Sequence, residues 1–188
     1  MTDAAVHPPP TRRSTWSTRQ KLARVLWATL ARPVWVLAPA LRPRLLRWFG
    51  ARVGTGCRFA RDVDIAIPWT LEIGDGVVVA DRVILYALGP VSIGDRTRLD
   101  VRAHLCAGTH DMNDSRFPLL RSSISIGADC VIGLDAYIGP EVRLGDGVIV
   151  KPRASVFRGF AGPGRLAGTP AAAVAEVSPV TPPAEVPA

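Results

Sequence analysis

The chain has 188 residues, 48% hydrophobic and 6% aromatic, with seventeen Gly, seventeen Pro and a net charge of +7. That length bounds it to one domain with appendages, and the abundance of turn residues favours short strands over long helices. The charge is polarised: residues 1–52 hold ten Lys/Arg and one acidic residue, whereas residues 53–188 hold thirteen and fifteen, so the body is weakly acidic and a nucleic-acid-binding body is excluded.

Residues 1–15 are rich in Pro, Arg, Ser and Thr, a composition that predicts disorder. Residues 16–52 form a basic, apolar segment. Within it the apolar run 25–41 is interrupted by Arg32, Pro33 and Pro39. It is short and broken for a membrane span, and no clean small-residue cleavage site follows. Short helices are expected here. They either cap the body through Trp27, Trp35, Trp48 and Phe49 or lie on an anionic membrane surface.

From Val53 the period changes. Aliphatic or Phe residues recur every six positions: Val53, Phe59, Ile65, Leu71, then Ile73, Val79, Leu85, Val91, then Ile93, Leu99, Leu105. A helix would use spacings of three and four, and a single strand would alternate over a few residues. Period six with Gly directly after the aliphatic residue, as in Ile73-Gly74 and Ile93-Gly94, is a hexapeptide β-helix repeat. The glycine is expected to relieve crowding and to allow turn dihedrals. Small residues four places on, at Ala103, Ala136 and Ala154, suit tight corners. The twenty-residue steps from Val53 to Ile73 and to Ile93 mark two-residue bulges at PWTLEIGD and GPVSIGD.

The repeat breaks at LCAGTHDMND, 105–114, and returns without slips at Ile126, Ile132, Ile138, Leu144, Val150 and Val156. About five coils are expected over 53–170, with a loop at 111–123 and a Pro/Ala-rich flexible tail at 171–188. Long loops in compact domains usually serve function, and this one starts with His110 and Asp111. The three cysteines, Cys57, Cys106 and Cys130, form no CxxC pair. They read as reduced cytoplasmic thiols, and no metal site is expected. The fold class is therefore all-β.

LCAGTHD resembles a segment of the hexapeptide-repeat O-acetyltransferases, especially the colanic-acid-biosynthesis group. The maltose, galactoside and nodulation acetyltransferases are more distantly similar. PWTLEIGD (68–75), LYALGPVSIGD (85–95), Phe117-Pro118, and KPRASVF followed by LAGTPA (151–157, 166–171) agree with that group, so the resemblance spans roughly residues 45–172. It implies a left-handed parallel β-helix, a homotrimer with sites at subunit interfaces, and acetyl-CoA as co-substrate. It also implies a sugar acceptor, small or lipid-linked, in polysaccharide, surface-glycan or glycoside biosynthesis. Departures from the family pattern are Ala87 where Asn is common, Val131 where Trp is common, and Glu141 where glycine is usual.

Acyl transfer from a thioester to a hydroxyl needs a base for the hydroxyl, donors for the oxyanion and an acid for the leaving thiolate. An imidazole suits the first and last tasks in turn, and backbone N–H groups at a corner suit the second. His110 is the expected base. Asp111 or Asp100 is placed to orient it or bind the acceptor, or to cap a turn, and His104 reads as structural. By family analogy Gly133, Ala154, Ser155, Arg158 and Pro170 line the cofactor path, with Lys151, Arg153 and Arg165 as further cations. Trp69, Tyr86 and Asp100 are acceptor-binding candidates. An amino-sugar N-acetyltransferase and a non-catalytic β-helix scaffold stay open as alternatives.

Overall fold

The computed structural model describes residues 16–175. The expected disorder of residues 1–15 and the end of the expected tail lie outside the described residues. The body is a parallel β-solenoid. Its first coil holds β1 (Arg52–Val53), β2 (Arg58–Phe59) and β3 (Asp64–Ile65). The second holds β4 (Leu71–Ile73), β5 (Val78–Val79) and β6 (Ile84–Tyr86), and the third β7 (Val91–Ile93), β8 (Arg98–Leu99) and β9 (His104–Cys106). There the chain leaves the wall as β10 (Gly108–His110) and β11 (Leu119–Arg121). It returns for a fourth coil, β12 (Ile124–Ile126), β13 (Val131–Ile132) and β14 (Tyr137–Ile138), and a fifth, β15 (Arg143–Leu144), β16 (Val148–Val150) and β17 (Ser155–Val156).

Stacked coils make three parallel sheets, β1-β4-β7-β12-β15, β2-β5-β8-β13-β16 and β3-β6-β9-β14-β17. A partial sixth turn follows the five coils: Phe160 bridges Leu144, and β18 (Gly164–Gly168) pairs with β16. β19 (Ala171–Val174) then folds back antiparallel on β18, so the expected tail begins as an ordered strand.

Every repeat aliphatic residue from Phe59 to Val156 is buried, and each stacks on its register partner: Ile73 on Ile93 on Ile126 on Leu144 is one such column. Ala103, Ala136 and Ala154 are also buried, at the corners. The glycine after the aliphatic residue serves close approach rather than turn dihedrals. A Cβ on Gly94 would lie 2.5 Å from the Ala128 nitrogen, and one on Gly127 2.6 Å from the Gly145 carbonyl carbon. Positive φ falls two residues later instead, at Gly76, Arg96, Asp129 and Gly147 on one corner and at Arg102, Asp135 and Arg153 on another. The left-handed conformation disfavours a Cβ. These charged residues compensate by pairing between coils: Arg96 binds Asp129 through two hydrogen bonds, and Arg102 does the same to Asp135, which also faces Arg153 at 3.8 Å. The aspartate of each IGD holds its neighbour coil: Asp95 Oδ1 accepts from the Asp75 N–H at 2.8 Å.

The N-terminal segment seals the first coil. It comprises α1 (Thr18–Leu26), a π-helical turn (Trp27–Ala31), α2 (Arg32–Leu37), a 3₁₀ turn (Pro39–Leu41) and α3 (Arg42–Trp48). The wide turn precedes Pro33, which has no N–H to give the Thr29 carbonyl and whose ring would clash with it. Trp35 is buried and meets Trp27 and Phe59 edge-on; Trp27 also meets Phe49.

The cap donors meet the exposed carbonyls of the coil. Arg47 Nε donates to the Val53 carbonyl at 2.8 Å, Arg42 donates to Phe59 at 2.7 Å, and Trp27 Nε1 donates to Ile65 at 2.8 Å, one for each side of the prism. Arg32 and Trp35 donate to Val63 and Arg61. Arg42 is 7% exposed, and burial lowers its pKa, with the nearby Arg61 adding to the effect. Trp48, by contrast, is 76% exposed and packs in no cap.

Arg42→Met should lower unfolding stability by about 2–4 kcal/mol, because the carbonyls of Trp35 and Phe59 both lose their buried donor; chemical denaturation measures this. Gly94→Ala should cost about 1–3 kcal/mol through overpacking. Gly162→Ala should be near neutral, since no atom lies within 4 Å of the point where its methyl group would stand. Equal melting shifts for the two glycine variants would refute the close-approach account.

Candidate active site

The wall breaks on the third side of the third coil. Leu105 completes that side in register with Leu85 and Ile138. β10 then leaves the prism and pairs antiparallel with β11, with Gly108 opposite Arg121, Thr109 opposite Leu120 and His110 opposite Leu119. The expected irregular loop 111–123 is therefore half regular: a two-stranded ribbon with a short tip. Gly108 allows this exit, since a Cβ there would meet Leu88 at 2.8 Å. The tip is held by side chains that accept from backbone N–H groups two residues on: Asp111 from Asn113 at 2.9 Å and Asp114 from Arg116 at 2.9 Å. Arg116 also pairs with Asp114 and holds its carboxyl below the usual range. The return is anchored where Ser122 donates to Glu141 at 3.3 Å and the Glu141 N–H donates to Ser123 at 3.0 Å. Glu141, at φ +65, occupies a corner that favours glycine and uses its carboxylate to hold the ribbon.

His110 is exposed at the end of this ribbon. Its Nδ1 lies 2.8 Å from the Phe117 carbonyl oxygen, and its ring stacks on the Phe117 ring at 4.6 Å and 13°. A carbonyl oxygen only accepts, so Nδ1 carries the proton, and the neutral tautomer that fits this bond has its lone pair at Nε2. The tip conformation that aims this carbonyl includes Phe117 at φ +51. Phe117 is thus the positioning residue, through both backbone and ring. The sequence flagged Phe117-Pro118 through the family resemblance but gave it no role, because a backbone carbonyl leaves no residue-type signal.

Asp111 caps the turn as described, and its N–H donates to Pro118 at 3.0 Å. Asp100 opens the side that β9 crosses, and its carboxylate faces Arg98 at 3.4 Å, whereas His110 lies past the far end of that side. Tyr86 is 39% exposed on the third sheet, beside Cys106 in register. Trp69 packs edge-on against Trp16 at 6.2 Å, and Arg121 lies 4.0 Å over the same Trp16 ring, so the cap touches the ribbon that carries His110.

Ala87 is fully buried, and its carbonyl accepts from Thr70. Gly133 and Ala154 are buried, with their N–H groups donating to Val150 and Lys151 inside the solenoid. Ser155 is half-buried and Thr169 donates to it at 3.3 Å; Arg158 and Pro170 are exposed, the latter after a cis peptide. Val131 is half-buried on the second sheet. Among the described cations of the closing coil, Arg153 faces Asp135, and Lys151 and Arg165 are half-buried.

The third sheet turns an aromatic column outward. His104 is in register with Tyr137, edge-on at 5.3 Å, and Tyr137 meets Phe157 at 5.6 Å. Burial, with the Cys106 thiol alongside, pushes the Tyr137 phenol up to about 12. His104 Nε2 is buried with no hydrogen-bond partner among the described residues, and burial lowers the His104 pKa against the smaller, raising effect of Asp64.

No family model matches the chain. It is 34% identical over 155 residues to WcaF of Escherichia coli (strain K12), named as an acetyltransferase of colanic acid biosynthesis. The match covers 80% of this chain and 85% of the relative. The chain belongs to this acetyltransferase family. Among solved structures, the hexapeptide-repeat acetyltransferase VCA0836 from Vibrio cholerae superposes with a TM-score of 0.78 at 21% identity, over 86% of this chain and 94% of its own. The same protein has been solved complexed with acetyl coenzyme A. A maltose O-acetyltransferase from Clostridium difficile 630 gives 0.69 at 16% identity, covering 86% of this chain and 90% of that one. The acetyltransferase thus shares the solenoid of that fold, with the His110 ribbon emerging from its wall.

The half-buried His104 makes stability depend on pH. Its folded pKa lies below the unfolded 6.5, so between the two values the unfolded chain binds more protons. Stability from this group is complete above about 6.5 and is lost as pH falls toward the folded value. The depressed aspartates, Asp75, Asp114, Asp129 and Asp135, act in a separate, more acid window below their ordinary 3.8. Denaturation midpoints measured from pH 7.5 to 5 should fall in the wild type and fall less in His104→Gln. Parallel slopes would show that His104 is not the titrating group.

Proposed function

We propose that this acetyltransferase moves an acetyl group from acetyl-CoA directly to a sugar hydroxyl in surface-polysaccharide biosynthesis in the cytoplasm, with His110 as general base. The observation that carries this is the bond from His110 Nδ1 to the Phe117 carbonyl at 2.8 Å, which leaves Nε2 as the acceptor of a proton. The acetyl-CoA complex of VCA0836 and the biosynthetic role in the name of WcaF support the donor and the acceptor class.

In the first half of the reaction His110 Nε2 takes the proton of the acceptor hydroxyl as its oxygen bonds to the thioester carbonyl carbon. The imidazolium that forms keeps its Nδ1–H on Phe117. In the second half the carbon–sulfur bond breaks, and the Nε2–H is given to the departing thiolate, which restores the neutral ring. One group serves both steps, and no covalent intermediate on the protein is needed. Stacking on Phe117 limits rotation of the ring between the steps. Backbone N–H groups near the exit corner are suited to the oxyanion.

Ser155, Arg158 and Pro170, together with Lys151 and Arg165, offer side chains on the closing coils for an anionic nucleotide. Gly133 and Ala154 contribute packing, since their amides are engaged in the solenoid. A homotrimer fits the same reading. The outward column of His104, Tyr137 and Phe157 gains cover when a second copy packs on it.

His110→Ala should lower kcat at least about a hundredfold in a thiol-release assay with acetyl-CoA and a panel of sugars and glycosides, the scale of losing a general base. Acetyl-CoA binding by calorimetry should persist. Turnover equal to wild type in the variant would defeat the catalytic role.

A further inference from the structure

The continuous helical stretch Thr18–Leu37 has three faces with three different chemistries. One face docks: Trp27, Ala31 and Trp35, spaced by four, seal the first coil. The residues just before them, together with Leu22 and Leu37, make a second face. Leu22, Leu26, Leu30, Val34 and Leu37 are 59, 37, 65, 37 and 81% exposed, with Val25 beside them at 57%. This is a continuous apolar stripe, not the scattered exposure usual on protein surfaces. The third face carries Lys21, Arg24 and Arg32, which line an open cleft of about 580 Å³ against Asp64 and Ala66 of the first coil.

Charge defines what the stripe meets. Residues 16–61 contain no Asp or Glu. Arg32, Arg42 and Arg47 are committed to backbone carbonyls and Arg24 lies over the Trp16 ring, which leaves Arg19 and Lys21 as the exposed cations of α1 beside the stripe. No helix among the described residues is long and apolar enough to cross a membrane. An apolar face bordered by basic residues, on a helix too polar to insert across a bilayer, is the pattern of a helix lying in an anionic lipid interface.

We propose that the helical stretch 18–37 docks this enzyme on the surface of an anionic phospholipid bilayer, with Leu22, Leu30 and Leu37 in the acyl boundary and Arg19 and Lys21 at the headgroups. The proposal does not depend on the catalytic role of His110. The cap is fixed to the solenoid by Trp27 and Trp35, so docking needs no rearrangement of the body.

The test is flotation of the full chain with vesicles of phosphatidylcholine and phosphatidylglycerol (about 7:3), against phosphatidylcholine alone. Wild type should float with the anionic vesicles and bind the neutral ones at least about tenfold more weakly. Leu22→Ser combined with Leu30→Ser should weaken binding about tenfold or more. Arg19→Gln with Lys21→Gln should lose binding by roughly fivefold per charge and respond less to salt. Circular dichroism, light-scattering mass and acetyl-CoA affinity should match wild type for the leucine pair. The proposal falls if wild type does not float, or if the leucine pair floats equally. It also falls if the leucine pair changes the oligomer mass while wild type ignores vesicles, because the stripe would then belong to a contact between copies.

Discussion

A parallel solenoid cannot end by itself. Each coil satisfies half of its backbone by pairing upward, and the first coil is left with carbonyls that point away from the stack. Leaving such acceptors buried without donors costs about as much as losing several hydrogen bonds. Here every side of the prism is met by a side-chain donor: Arg47 for Val53, Arg42 for Phe59 and Trp27 for Ile65. The need for donors that reach from a helix to a strand edge explains why this segment is rich in Arg and Trp and holds no carboxylate. Arg suits the task because it carries several N–H groups and accepts nothing. The other end uses a different solution, in which β18 extends the second sheet and β19 folds back on it.

Sealed at both ends, the solenoid becomes a stiff wall from which one element can be projected. The ribbon β10–β11 departs at a single corner and is clamped at its base on two sides. Gly89 and Gly108 allow close approach, and Glu141 ties the returning strand to the fourth coil. The order of its tip then comes from local turns at Asp111 and Asp114 rather than from the core. This division places the imidazole on a short, braced ribbon whose orienting group is a main-chain carbonyl. Such a partner stays fixed only while the tip keeps its turn geometry, which is why the carboxylates of Asp111 and Asp114 matter to His110 without touching it.

What the sequence disclosed follows from what burial imposes. The six-residue period was legible because each aliphatic residue must point into the prism and stack on its equivalent, and all of those from Phe59 to Val156 do. The place of the break was legible for the same reason, as a departure from a strict pattern, and the ribbon that bears His110 leaves the wall there. The corners were less so. Glycine after the aliphatic residue suggested turn dihedrals, yet the left-handed positions lie two residues on and are held by Arg96, Arg102, Asp129 and Asp135, whose ion pairs between coils are invisible in one dimension. Likewise, arginines in a basic arm look solvated, and nothing in residue type marks Arg42 as a buried donor. Residues proposed on a ligand path by analogy divide by burial: Gly133 and Ala154 pack within the solenoid, whereas Ser155, Arg158 and Pro170 face outward.

The cap and the ribbon are not independent. Trp16, at the start of the helical segment, lies between Arg24 of α1 and Arg121 of β11 and packs on Trp69 from the bulge of the second coil. Arg121 sits opposite Gly108, two residues from His110 along β10. A chain of contacts therefore runs from the helix that carries the exposed leucines, through one tryptophan, to the base of the ribbon. The same segment that supplies donors to the first coil thus also fixes where the ribbon stands relative to the outer face of the cap. The direction from which the His110 ring is open to approach is therefore set in part by the cap, whose arginines at 32, 42 and 47 are spent inward on carbonyls.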